Sequence, residues 1–517
     1  MTVNIQQKIN VDRKLFLLIF LITFTIFLFT SDAHRYSIDE GVAQEQTIRL
    51  ITLEDNILYE DGVSALGYEY GDLFAIHDQP LCGHSLLCTS AYIGHSIVQY
   101  PFVFINHNLN IITESTVIFS DDDFDDPHYV WWRNSLNSDF TFMELTFGPF
   151  FSALSVGVFF LVCRTYNFKT NNSILIAFLY AFTTSVWAYS QTSLNSVPMT
   201  FFVLLGFLFL RKFQNTSSPS FVLFCAGSFG FAFLIRPDTI LFIIPITIFL
   251  ILHFWKQNNK IKNLISFFTP LLLCYAVYHY VQSLRFSDIS TGLVETTTSF
   301  VSRGHNYDYF LDGLFGLFLS PGVGLLIFSP ILLSIFFSFP DFFSKHKKDC
   351  LLFLSIIFYF IYTYSTVGDT WHGLSAWSAR YFIPIIPFLL LPLAASFEQR
   401  KNKYLTISLL SAGAFGIFTN IIYVIQDVSW FVWGLMGSDR GLYALGTYET
   451  PLRIHALTLW TFEYSPLTQS AITGITNLNL DIYLVKLFGI PIFISILIVI
   501  ILPLCFLLYH TKNKITE

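Results

Sequence analysis

The sequence predicts an all-α polytopic membrane protein with about twelve transmembrane helices and long outer loops. Three observations carry the prediction. The 517 residues are 54% hydrophobic and 18% aromatic with only 12% charged, and mean hydropathy is +0.58, a composition outside the soluble range. Apolar runs recur from end to end, each close to the ~20 residues that a ~30 Å hydrocarbon layer requires. The basic residues segregate to alternate connections between those runs.

The runs fall at about 14–30, 145–163, 172–190, 197–213, 220–236, 239–255, 264–281, 320–339, 350–366, 381–397, 404–425 and 483–509. Backbone groups in lipid must pair within their own segment, so these runs are helices. The first is long, and Ser31-Asp32-Ala33 is a poor cleavage site, so it is expected to be a retained span rather than a signal peptide. With the N-terminus inside, the inner segments hold 18 of 28 basic residues, and the other face holds 10 basic and 30 of 35 acidic residues. The positive-inside rule then places both termini in the cytoplasm. Net charge, −7, says little alone, because the two faces are solvated separately.

Three outer segments are long, 31–144, 282–319 and 426–482. The first carries 19 acidic and 3 basic residues, including DDDFDDPHYVWW at 121–132. That run offers oxygen ligands for a divalent cation but lacks the spaced ligands and turn glycine of a calcium loop. Cys82 and Cys88 share this loop with His77, His84 and His95. A disulfide and a zinc site stay open there, the second without any standard zinc spacing. The remaining cysteines lie in or beside spans, as small apolar residues. There is no P-loop, GxGxxG or Ser-His-Asp order, so neither nucleotide use nor a nucleic-acid partner is expected, and no cofactor is predicted beyond a possible divalent cation.

The informative charges sit at outer span ends. HRYSIDEGVAQEQ, residues 34–46, puts Asp39 and Glu40 just beyond the first span. They suit a helix start, where the dipole favours negative charge, and equally a base near the membrane surface. FAFLIRPDTILFIIP, 231–245, places Arg236 and Asp238 between two apolar runs with almost no loop. Charge there is costly unless it works or is paired. GDTWHGLSAWSARYFIPIIPF, 368–388, brings Asp369, Trp371, His372, Trp377 and Arg380 to the mouth of another span. A guanidinium at the lipid–water boundary suits bidentate phosphate binding, and aromatics there form either an interface belt or a sugar platform. Arg303 and His305, in SRGHNYDYF at 302–310, and Tyr100, in YIGHSIVQYPFVFI at 92–105, are lesser candidates. The Gly- and Pro-broken FLDGLFGLFLSPGVGLLIFSPILL, 310–333, is the kind of backbone tolerated where it lines a cavity.

In order and topology these motifs resemble the GT-C class of membrane glycosyltransferases, of the protein O-mannosyltransferase and aminoarabinose-transferase type with an RgtA-like membrane core. SIDEG resembles the outward Asp-Glu after the first span, and YIGHSIVQYPFVFI the stretch before the second. WAYSQTSLNSVPMTFFVLLGFLFLRKF, 187–213, resembles the turn between the third and fourth spans, RPD the Arg-Pro after the fifth, and GLFLSPGVGLLIFSPILL the Ser-Pro repeat. WHGLSAWSARYFIPIIPFLLLP resembles the Trp, Gly, then Gly-Pro-Arg-Tyr stretch. Two departures stand out: Val197-Pro198 replaces Glu-Pro, and Ser378-Ala379 replaces Gly-Pro.

The resemblance implies a GT-C fold, with a tail at 1–13, a catalytic core at 14–400 that includes the 31–144 loop, and C-terminal helices at 401–517 with their own outer loop. It implies transfer of a sugar from a polyprenyl- or dolichyl-phosphate donor in the bilayer to a hydroxyl of a protein, lipid or glycan. Asp39 is then the expected base with Glu40 beside it, and Arg380, Arg236 and Arg303 the expected phosphate ligands. Trp371, His372, Asp238, His305 and Tyr100 are the expected substrate contacts. A secondary transporter or a lipid-linked glycan flippase is the rival expectation, although a transporter would favour midplane charges and inverted repeats.

Overall fold

The computed structural model describes residues 2–36, 38–52, 92–108, 141–255, 257, 259–285, 307–367, 369–373, 377–399, 403–426, 457–477 and 480–513. No strand occurs among them. Among the described residues, eight helices are long and apolar enough to cross a membrane, and two shorter apolar helices accompany them. The chain is an all-helical, multi-pass membrane protein.

Helix α1 (Thr2–Phe29) packs along α4 (Thr141–Thr165), on the far side of α2 (Ile38–Thr52) and α3 (Ile93–Asn108) in sequence. Phenylalanines make that contact: Phe20 and Phe24 stack at 5.6 Å, and both meet Phe150 edge-on at 5.9 and 6.3 Å. Such dense packing matters in lipid, where burying apolar surface gives little drive. After α5 (Thr170–Phe182) and the single-turn α6 (Val186–Tyr189) come α7 (Ser196–Thr216) and α8 (Pro219–Ile235), packed as a tight hairpin. Its turn follows from local chemistry. Ser217 caps α7 with φ 55°, and Pro219 opens α8 at the position whose missing N–H costs nothing.

A single 3-10 turn at Pro237–Thr239 leads into α9 (Ile240–Phe254), and α10 (Lys260–Arg285) packs on α8. Next come α11 (Phe310–Leu319), the short α12 (Leu325–Phe328), α13 (Ile335–Ser365), α14 (Ile386–Gln399) and α15 (Lys403–Ile425). The last described helices are α16 (Pro466–Asn477), α17 (Tyr483–Phe488) and α18 (Ile490–Asn513). Only 11% of the apolar stretch of α10 and 6% of that of α18 is buried. Their bare faces, with Leu272, Leu273, Val499, Leu502 and Phe506, therefore suit lipid.

Four expected spans are drawn differently, the last of them, 483–509, because Gly489 (φ 75°) separates α17 from α18. The run 172–190 is not one helix, because α5 ends at Phe182. There the hydroxyls of Thr183 and Thr184 turn back to the carbonyls of Leu179 and Tyr180, and Ser185 N–H goes to Ser329 Oγ. The run 320–339 breaks at Gly322, Gly324 and Pro330 into a turn, α12 and a 3-10 turn. From Ile335 the helix continues into the run expected at 350–366, through residues expected to be an inner loop, with its kink at His346 (φ −129°, ψ 42°). Arg211 anchors this region: it pairs with Asp349 at 2.9 Å and lies 3.9 Å from the centre of the Tyr166 ring.

Candidate functional site

The chain leaves α1 through a sharp turn. Ala33 takes a left-handed conformation, φ 69°, which a residue with a Cβ adopts at a cost of about 1–2 kcal/mol. The turn puts Asp32 and His34 side by side, with His34 N–H on Asp32 Oδ1 at 3.2 Å. The hydroxyl of Tyr36 donates to Asp32 Oδ2. From the far end of the chain, Asp481 closes the group: its Oδ2 lies 2.7 Å from His34 Nε2, and Lys486 Nζ lies 2.5 Å from its Oδ1. Backbone bonds hold that segment in place, Tyr483 N–H to Ser31 O at 2.9 Å and Asp481 N–H to Ile425 O at 2.8 Å. Burial pushes the Asp32 carboxyl up to about 6, helped by Asp481 and opposed by His34 and Tyr36.

Asp32, His34 and Asp481 are close enough to share one ion, their ligand atoms lying within 4.8 Å of one another. The hydrogen bonds argue for another use of the ring. Nδ1 is 3.1 Å from the Arg35 carbonyl and Nε2 is 2.7 Å from a carboxylate, so both nitrogens face acceptors. A ring that donates from both has no lone pair left for a metal.

Behind this turn, α2 carries Glu40 inward. Its Oε2 accepts Tyr36 N–H at 2.7 Å, and its Oε1 accepts Ser193 N–H at 2.5 Å and Ser193 Oγ at 3.2 Å. Ser193 belongs to the polar turn between α6 and α7. A Cβ at Gly148 of α4 would collide with the carbonyls of Ser190 and Thr192, so glycine lets this turn sit against the helix. The Ser193 carbonyl accepts from His95 Nε2 at 2.9 Å. Burial lowers the His95 ring to about 4, so the neutral form makes this bond. Gln44 donates to Glu144, and Arg35 Nε stands 3.9 Å from the same carboxylate. All of these side chains are buried.

The second cluster lies at the mouths of α9 and α14. Arg236 Nε pairs with Asp238 Oδ2 at 2.8 Å, Arg236 Nη2 meets the Tyr364 hydroxyl at 3.3 Å, and Tyr364 donates to Asp238. Tyr364 and Tyr381 stack at 4.3 Å. The guanidinium carbons of Arg236 and Arg380 lie 5.4 and 5.3 Å from the Tyr381 ring centre, so one ring is shared by two cations. Gly373, at φ 76°, leaves room for the Arg380 stem, since a Cβ there would stand 3.0 Å from its Cγ and Nε. Trp371 lies over Gly316 and 5.8 Å from Trp460; His372 is buried beside it.

An aromatic chain runs from the first cluster to Trp377, three residues before Arg380 in the sequence. Trp377 contacts Tyr423 (5.1 Å), Tyr423 stacks on Tyr36 (5.1 Å), and Tyr36 contacts His34 (4.8 Å). Tyr189, buried between the two clusters, lies in the field of Arg380, Tyr381, Arg236 and Glu40. Arg236, Asp238, Trp371, His372 and Arg380 are thus gathered at one end of the helices. Glu40 has its oxygens turned into the protein. Asp39 lies on α2, and its side chain is outside the described residues, as are Arg303, His305, Cys82, Cys88, His77, His84 and the 121–132 run. Tyr100 is on the exposed face of α3, stacked on Phe104. Sequence reasoning missed Asp32, Asp481, Glu144 and Ser193. Of these only Asp32 has a local signal, the Asp-x-His-x-Tyr spacing directly after a span.

Residues 147–281 match the family model described as dolichyl-phosphate-mannose-protein mannosyltransferase. No curated protein matches the chain. Among solved structures, the fold is similar to ArnT from Cupriavidus metallidurans bound to undecaprenyl phosphate, with a TM-score of 0.51 at 11% identity over 96% of this chain and 77% of that one. The apo state of the same ArnT aligns with a TM-score of 0.48 at 13% identity, over 89% of this chain and 76% of that one. Together the family-model match and the fold support a GT-C class membrane glycosyltransferase, the class that the sequence motifs resemble.

Proposed function

We propose that the protein moves a sugar from a polyprenyl- or dolichyl-phosphate donor to an acceptor hydroxyl at the outer surface of the membrane. The observation that carries this reading is a buried carboxylate group around Asp32 and Glu40 together with the Arg236–Tyr381–Arg380 cluster, with Tyr189 in the field of Glu40 and of both arginines. Transfer needs both. A carboxylate takes the acceptor proton, the acceptor oxygen bonds to the anomeric carbon, and the bond to phosphate breaks with its electron pair on phosphate. Guanidinium groups stabilise the charge that develops there. Tyr189, whose hydroxyl has no hydrogen-bond partner among the described residues, adds a donor suited to a phosphate oxygen. The lipid bound to ArnT in the similar structure, undecaprenyl phosphate, supports a polyprenyl carrier here.

The sequence nominates Asp39 as base, next to Glu40. The geometry favours Asp32 among the described carboxylates. Burial raises it to about 6, close to neutral pH, and beyond its own backbone and hydroxyl donors, His34 N–H and the Tyr36 hydroxyl, it faces the charges of His34 and Asp481, whereas Glu40 is tied by the N–H groups of Tyr36 and Ser193 and by the Ser193 hydroxyl.

The test is reconstitution of the purified protein in vesicles with polyprenyl-phosphate mannose and a membrane extract as acceptor source. Release of polyprenyl phosphate together with a new glycosylated product supports the reading. Accumulation of a solute, or movement of intact donor between leaflets without its cleavage, overturns it in favour of a transporter or a flippase.

A further inference from the structure

We propose that Asp481, acting through His34, is a positioning residue for the Asp32 carboxylate, so that the segment leading into α17 completes the base. The inference rests on the reading of Asp32 as the base. It goes beyond that reading by bringing in a residue from the other end of the chain, outside the 147–281 family match.

The argument starts from the His34 ring. A carbonyl can only accept, so Nδ1, 3.1 Å from Arg35 O, carries a hydrogen. Asp481 is kept ionised despite its burial, because His34 and Lys486 outweigh that burial and hold it at about 2. Nε2, 2.7 Å from its Oδ2, therefore carries a hydrogen too, and the ring is an imidazolium. Its Nε2 is committed to Asp481 and stands 3.9 Å from Asp32 Oδ2, beyond hydrogen-bond range. Asp32 thus faces a fixed positive charge that does not bond to it through Nε2, and it keeps the freedom to accept a proton. Without the Asp481 charge the ring loses its anchor. It can then swing onto Asp32 as a direct partner, which lowers the carboxyl's proton affinity and blunts the base.

Among the described residues, the charged and titratable groups recorded around Asp32 can be varied in turn. His34 and Tyr36 come from its own turn; Asp481 comes from the C-terminal segment with Lys486 behind it; and Tyr423 of α15 backs Tyr36. The test measures the protonation of Asp32 directly. Dicyclohexylcarbodiimide enters from lipid and adds to protonated carboxyl groups. Full-length protein in vesicles is labelled across a pH series, and the Asp32 peptide is quantified by mass spectrometry. The wild-type midpoint is expected near pH 6. Asp481→Asn removes a negative charge and moves the midpoint to lower pH; His34→Gln removes a positive one and moves it to higher pH; Asp481→Glu restores it. Asp481→Asn should also slow transfer on the order of tenfold while leaving donor KM unchanged. An Asp32 midpoint unmoved in Asp481→Asn and His34→Gln, with both variants eluting as folded protein, overturns the proposal. If the midpoint moves as expected but Asp32→Asn retains full transfer, the coupling stands and the premise that Asp32 is the base falls.

Discussion

Asp32 and Glu40 flank the start of α2, both buried, and Tyr36 serves each of them, its hydroxyl on Asp32 and its backbone N–H on Glu40. Each also accepts one further backbone N–H, that of His34 on Asp32 and that of Ser193 on Glu40, and beyond these their neighbours differ. Glu40 takes the N–H and hydroxyl of Ser193, donors that do not titrate, and it ties α2 to the turn before α7. Asp32 faces groups that carry charge, His34 and Asp481. Glu40 too has a titratable neighbour, Glu144, but among the described residues it accepts from three donors where Asp32 accepts from two. A carboxylate so tied is a structural joint, whereas one set between opposing charges keeps a pKa that chemistry can use. Burial alone does not separate the two roles; the chemistry of the neighbours does.

The comparison breaks first on rate. Asp32→Asn is nearly isosteric and should slow transfer by about 100-fold or more while leaving expression and donor binding in place. The wild-type rate should fall as pH drops through about 6, because Asp32 works only when deprotonated. Full activity in Asp32→Asn, with the loss appearing in Asp39→Asn instead, would return the role to the residue that the sequence nominates. Next comes the donor side. A charge-assisted hydrogen bond is worth about 1.5–3 kcal/mol, so Arg380→Ala should weaken binding of polyprenyl-phosphate mannose by about 10–100-fold, with a smaller effect on melting temperature. Unchanged donor affinity in the folded variant would remove Arg380 from the site.

Glu40→Gln should act on stability rather than on rate. A glutamine can accept the Ser193 N–H through its carbonyl, but its NH2 then meets the Tyr36 N–H donor. A buried donor left without an acceptor costs about 1–3 kcal/mol. Thermal unfolding in detergent should register that loss, with transfer per folded molecule close to wild type. A specific loss of rate at unchanged stability would put Glu40 among the reacting groups and erase the contrast with Asp32.

How much of this was legible depended on range along the chain. Apolar runs and flanking charges are local, so the helical, membrane-spanning architecture was readable. So was the position of Arg236, Asp238, Trp371 and Arg380 at span ends, because charge and indole there stand out against lipid-compatible neighbours. The broken helix at 320–334 was foreshadowed by Gly322, Gly324 and Pro330, yet its exact break was not, since Ser320 is held by Leu459 O from a distant segment. Glu144 looked like one more acidic residue of an outer loop until α4 placed it against Gln44 and Arg35. Asp481 bonds to a residue 447 positions earlier, and no periodicity carries that information.

The smallest expected effect tests whether the Asp32–His34 turn is itself part of the contrast. Ala33 holds φ 69° and is buried, so its methyl group is packed while its backbone is in a region that L residues avoid. Ala33→Gly removes the steric cost of about 1–2 kcal/mol, but it loses a buried methyl worth about 0.8 kcal/mol and loosens the unfolded chain by about 0.5–1 kcal/mol. These terms nearly cancel, so stability should stay within about 1 kcal/mol of wild type and transfer should persist. Ala33→Val keeps and enlarges the apolar contact but puts a β-branched residue where φ is positive, a backbone it strongly resists. If the turn is what holds Asp32 against His34, the valine variant should lose rate as well as stability and move the pH dependence of transfer away from 6. Equal behaviour of the glycine and valine variants would mean that the Asp481 clamp alone fixes the pair and that the strained turn contributes nothing to it.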